Sequence, residues 1–183
     1  MINKPIFPVD YNLIRRTIVN VLRTITCLDE NHVIEQEPET QNSPRPTRPY
    51  LAMKIIGPAV KSGTDSIDAI SGTLFNSGGN RKMTISFNAY GRSHEEAYNY
   101  MELIQCYFNA ESVLETLRRV GIAVWTIGNV SDLSALLNTG FEGRCQMDIV
   151  FGIAANITED LGAMEHVDIQ GNINNTIPVA VQN

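Results

Sequence analysis

Three histidines, His32, His94 and His166, and three cysteines, Cys27, Cys106 and Cys145, are the side chains of this sequence best suited to metal binding or nucleophilic chemistry. No histidine shares a ligand spacing with another His, Cys or Asp, and no Cys-x-x-Cys pair is present, so no metal site is expected. An odd number of widely separated thiols also argues against a disulfide framework and fits a reducing compartment. Cys106 falls on a predicted helix, Cys145 on the apolar face of a predicted strand and Cys27 just past a helix end, where thiols act as small hydrophobes. His94 sits just inside a helix start, as a solvent-exposed residue would. The acidic pair Glu95-Glu96 opens the same helix and complements its dipole. The pair Glu159-Asp160 reads as a solvated turn. Ser62-Gly63 and Gly78-Gly79 lack the Gly-x-x-x-x-Gly-Lys pattern of a phosphate cradle. The sequence predicts no catalytic residue, no metal and no cofactor.

The elements around these residues indicate an α+β fold, with a mostly antiparallel sheet backed on one face by helices. Asp10 caps a first helix in which Leu13, Ile14, Ile18, Val21, Leu22 and Ile25 recur at helical spacing to about Thr26. A short strand, His32 to Glu35, precedes a stretch at 37–49 whose prolines, Pro38, Pro44, Pro46 and Pro49, forbid helix and central strand. Tyr50 to Ile56 reads as a strand. Residues 57–80, rich in Gly, Ser, Asp and Asn, read as a long loop. Met83, Ile85, Phe87 and Ala89 then alternate with polar partners in a half-buried strand. Ser93 and Glu96 form a capping box before a second helix, and a shorter helix from about Glu111 to Arg119 stops at Gly121. Ile122 to Ile127 reads as a strand, and Asp132 to Leu137 as a turn or short helical piece. The longest strand runs from about Phe141 to Ala154. One of its faces carries Cys145, Met147, Ile149, Phe151 and Ile153, the other Glu142, Arg144, Gln146 and Asp148. The expected organisation is one domain over 1–155, followed by an extended arm over 156–183.

Charge narrows the functional classes. Fourteen Lys and Arg against 20 Asp and Glu give −6, which disfavours a general nucleic-acid binder held by phosphate contacts. No apolar run approaches the roughly 20 residues of a membrane helix. The start, MINKPIFPVDYN, lacks the apolar core of a signal peptide, so a non-secreted protein is expected. Basic residues gather on the first helix (Arg15, Arg16, Arg23) and among the prolines (Arg45, Arg48), where a solvated surface and a subunit interface are both open readings.

Three pieces in order then resemble the phage neck or tail terminator proteins. They are the amphipathic first helix; Asn42-Ser43-Pro44-Arg45-Pro46-Thr47-Arg48-Pro49-Tyr50 leading into a strand; and the long strand Gly143 to Phe151, followed by an acidic arm alternating in Val and Ile. The resemblance implies a non-enzymatic virion protein that forms a homo-oligomeric ring, usually of six copies, assembled in the host bacterial cytoplasm. That ring caps the tail tube, stops its growth and joins the tail to the head connector, with the sheath as an optional further partner. The alternatives are a head-side completion or adaptor protein of the same neck and, more remotely, a small cytosolic enzyme. On this reading Arg15, Arg16, Arg23, Pro44, Arg45, Pro46, Arg48, Pro49 and Tyr50 are candidates for the inter-subunit interface. Glu142, Arg144, Gln146 and Asp148 are candidates for a polar wall past which DNA moves without sequence-specific binding. No membrane contact is implied.

Overall fold

A computed structural model describes residues 7–35, 45–137 and 140–160. The first helix, α1 (Tyr11–Thr26), starts where expected: the Leu13 amide donates to Asp10 Oδ1 at 3.0 Å, satisfying one of the amides a helix start leaves unpaired. Ile14, Ile18, Val21 and Leu22 are buried, whereas Leu13 turns outward. After a single 3-10 turn (Glu30–His32) come β1 (Val33–Glu35), β2 (Tyr50–Ser71) and β3 (Leu74–Gly91). Helices α2 (His94–Tyr107) and α3 (Glu111–Arg118) follow, then β4 (Ile122–Ile127), β5 (Ser131–Asp132), β6 (Ala135–Leu137) and β7 (Gly140–Asp160). Gly121, at φ +72°, donates its amide to the Arg118 carbonyl and turns the chain from α3 into β4.

The strand order is β1-β2-β3-β7-β4, with β5 and β6 also pairing with β7, and among these pairs only β1 with β2 is parallel. The α+β expectation therefore holds. Side chains alternate across the sheet. Met53, Phe87 and Met147 form one cross-strand row and Ile55, Ile85 and Ile149 the next, both facing the helices. Against them pack Ile18 and Leu22 of α1, Met101 and Ile104 of α2, and Leu117 of α3, all fully buried. Phe87, Phe108 and Phe151 meet edge to face at the centre, with ring centroids 5.6 to 6.5 Å apart.

Three expectations change. Residues 57–80 are not a loop: they complete β2 and β3, which are joined at Gly72-Thr73 with Gly72 at φ +55°. β7 likewise continues past Ala154, so residues 156–160, expected to begin an arm, are strand paired with β3. The three strands thus extend beyond β4, which stops opposite Ile153, as a ribbon of about 23 Å. Composition concealed this because the ribbon has few apolar residues to alternate. Its pairing is held by the ladder and interrupted at three register shifts in β2, at the first two of which Gly57 and Gly63 adopt positive φ. The stretch 132–137, expected as a turn or helical piece, contributes two short strands to β7. The remainder of the arm, 161–183, lies outside the described residues.

Where the ribbon leaves the body, Arg81 grips Asp65 through two hydrogen bonds (2.6 and 3.1 Å), and Lys61 adds a 3.0 Å ion pair. The Arg81 guanidinium first, and Lys61 second, hold the Asp65 carboxyl down at about 2. Because the folded value lies below the ordinary 3.8, this contribution is complete above pH 4 and is lost as pH falls through 2. A carboxyl-carbon NMR titration should give Asp65 a midpoint near 2; a midpoint near 4 would show that the clasp does not form.

Candidate functional site

The sheet face turned away from the helices holds the candidate polar wall, and its residues are largely engaged with one another. Tyr50, Tyr90 and Arg144 form one cross-strand row, Ala52, Asn88 and Gln146 the next, then Lys54, Ser86 and Asp148. Tyr50 and Tyr90 stack with centroids 4.4 Å apart, and the Arg144 guanidinium stands 5.3 Å from the Tyr90 centroid. Arg144 also donates to Asn88 Oδ1 at 2.9 Å, and Gln146 Nε2 donates to Ser86 Oγ at 3.1 Å. Asn88, Ser86 and Glu142 are buried, Arg144 and Gln146 half-buried, and Asp148 exposed. Burial pushes the Tyr50 phenol up to about 12 and raises that of Tyr90, so both remain neutral hydrogen-bonding groups.

Glu142 joins the two candidate sets. Its side chain, 10% exposed, accepts a charge-assisted hydrogen bond from Arg48 and forms a 3.6 Å ion pair with Arg45. The described part of the proline segment, 45–49, is thereby clasped to the start of β7, with a cis peptide at Arg48-Pro49. His32 adds a second tie, its Nε2 lying 3.2 Å from Thr47 Oγ1 and its Nδ1 2.6 Å from Asp29 Oδ1. Arg45, Arg48 and Tyr50, listed among interface candidates by sequence, thus make their contacts within the chain; Pro46 and Pro49 lie on the same clasped segment, and Pro44 falls outside the described residues. Sequence offered no sign that Glu142 would meet arginines 94 and 97 positions earlier, nor that Ser86 and Asn88 would be their buried neighbours.

The arginines of α1 behave differently from one another. Arg15 pairs with Glu35 at 3.4 Å, Arg16 is exposed and Arg23 half-buried. The helix itself carries no acidic residue. Beside it, α1 and α3 border a groove of about 630 Å³, lined by Asn20, Val21, Ile25, Tyr107, Val113 and Arg119 among others.

Nothing among the described residues converges as a reaction centre would. No group of three or more His, Cys, Asp or Glu is placed to hold a metal. A cleft of about 660 Å³ between α2 and β4 contains Cys106 and Trp125, and Cys106 is the one titratable side chain lining it. His94 lies 3.1 Å from Asp132 and against the edge of Tyr98; Cys145 is the cross-strand neighbour of Asp132 but is fully buried. Cys145 is buried, which pushes its thiol up to about 11, while Cys27 and Cys106 are exposed. A thiol reagent at pH 8 should therefore label two cysteines rapidly and the third only on unfolding. Rapid labelling of all three in the native protein would contradict this packing.

A family model described as "Phage neck terminator protein" matches residues 12–176, which is most of the chain. The chain belongs to the phage neck terminator family. It is a structural protein of the phage neck. Among solved structures, a chain of the "Virion of native gene transfer agent (GTA) particle" is similar at 14% identity, covering 75% of this chain and 85% of that one, with a TM-score of 0.30. No curated protein matches.

Proposed function

We propose that this neck terminator works as a closed ring, of six copies, that sits on the last ring of the tail tube, ends tube growth and joins the tail to the head connector. The observation that carries this reading is the family match over residues 12–176. The geometry supports it in two ways. A closed ring needs two different patches on each copy, because every subunit meets its neighbour head to tail. The chain offers such patches in a ribbon projecting from one end of the sheet and in α1, a helix with three arginines and no acid of its own, of which Arg15 is paired with Glu35.

The polar sheet face also suits a passage for DNA. Arg144 is tied to Asn88 and Tyr90, Arg45 and Arg48 to Glu142, and Asp148 is exposed on the same face. The exposed Lys54 and Lys82 are set along this face with Asp148 among neutral and paired groups, so a wall carrying both signs grips phosphate weakly and DNA slides without sequence reading. The protein acts in the virion neck without catalysis, its partners being further copies of itself, the tail tube and the connector, with the sheath where one is present. Infection by phage lacking the protein should yield tail tubes of uncontrolled length and filled heads without tails. Tubes of normal length beside unjoined heads would instead support the head-side adaptor reading.

A further inference from the structure

The tip of the ribbon is amphipathic, and its charge is one-sided. Cross-strand rows place Ile67 with Ser77 and Ile157, and Ala69 with Phe75 and Glu159, on the side of the sheet that the helices cover in the body. Among the described residues no helix reaches that face at the tip, and Ile67 is 70% exposed. The opposite face at the same level is polar, with Ser66, Asp68, Asn76, Asn156 and Thr158. The tip also carries Asp68, Glu159 and Asp160 without a Lys or Arg between 66 and 77 or from 154 to 160.

The complementary surface lies on the body. The α1–α3 groove has an apolar floor in Val21, Ile25 and Val113, and Arg119 lines it in a 2.5 Å pair with Glu115. Arg16, Asn20 and Arg23 form one stripe of α1, and Asn20 lines the groove, so the two arginines flank its outer rim. The other acid of α3, Glu111, is taken up by Arg118 at 2.5 Å, so α3 brings no surplus negative charge. We infer that the ribbon tip of one copy seats in the α1–α3 groove of a second copy, its apolar face on Val21 and Val113 and Glu159, which shares that face, against Arg16 and Arg23. This rests on the ring reading and deepens it. The contact joins two different patches, so passed in one direction it closes a ring or propagates, whereas reciprocal exchange between two copies would stop at a two-fold dimer.

Charge reversal tests the pairing on the full-length chain, with assembly followed by light scattering as a function of concentration. Arg16→Glu with Arg23→Glu should raise the half-assembly concentration about 30-fold and Glu159→Lys about 10-fold, and joining the two sets should recover most of the loss. Lys82→Glu, an exposed charge on the opposite face of the sheet, should leave assembly unchanged, and every variant should keep the wild-type melting temperature. If wild type assembles and the reversals do not weaken it, or the combined variant does not recover, the seat is overturned and the ring stands. Tip variants that still form rings but no longer bind tubes would assign the tip to the tube and likewise overturn the seat. A wild type that is monomeric at every concentration, with and without tubes, overturns the ring and the seat together.

Discussion

Replacing Phe87 by Ala should destabilise the protein by about 3–5 kcal/mol, the cost of deleting a buried ring whose neighbours cannot collapse into the space. Phe87 is 2% exposed and touches both Phe108 and Phe151, which are fully buried. Its removal separates α2 from the two central strands at once. For a chain of this length the loss corresponds to a fall of about 10 °C in melting temperature. Calorimetry on Phe87→Ala, with Ile67→Ala as the comparison, reads it directly. Ile67 is 70% exposed on the ribbon tip, so its truncation should change stability by less than about 0.5 kcal/mol. Equal effects at the two positions would mean that the centre of the core has been misplaced.

Glu142→Lys should cost about 2–3 kcal/mol, measured as a lower urea midpoint with an unchanged slope. The substitution removes the carboxylate that Arg45 and Arg48 share and puts a third cation in its place. The figure lies below that of a fully buried pair because Arg45 is 72% and Arg48 32% exposed, so both can recover some hydration. Glu142→Gln keeps an acceptor in position and should cost about 1 kcal/mol. Arg144, two residues along on the same face, is held by Asn88 and Tyr90 and should not be disturbed by either change. A midpoint unaffected by Glu142→Lys would show that the proline segment is not held by this clasp.

What was legible in the sequence follows from where burial enforces a pattern. The alternation of Met83, Ile85, Phe87 and Ala89 against polar partners, the stripe of α1 apart from the exposed Leu13, and the caps Asp10 and Ser93 all agree between sequence and structure, because a core on one side imposes them. The ribbon was missed because among the described residues no helix covers it, and the alternation it does carry, at Ile67, Ala69 and Phe75, is short and follows the register shifts at Gly57 and Gly63. Its strands persist through backbone pairing and the Lys61–Asp65–Arg81 clasp, which local composition does not reveal. The candidate site divides the same way. The polar residues of β7 were visible as a strand face, yet their partners come from β3 and from the proline segment, at separations of 56 positions for Asn88 and Arg144 and 94 for Arg48 and Glu142. The arginines therefore read alike in sequence and differ in structure: those among the prolines are clasped within the chain, while Arg16 and Arg23 share an outer stripe of α1 with Asn20, which lines the groove.

The account rests on a neck terminator that closes into a ring, and imaging the purified full-length chain, alone and mixed with tail tubes, tests this most directly. Six copies of a 20.3 kDa chain give particles of about 122 kDa, and the ring account places such particles at tube ends, with no further tube subunits added beyond them. A stable 20.3 kDa monomer that leaves tube ends bare and growing would contradict it.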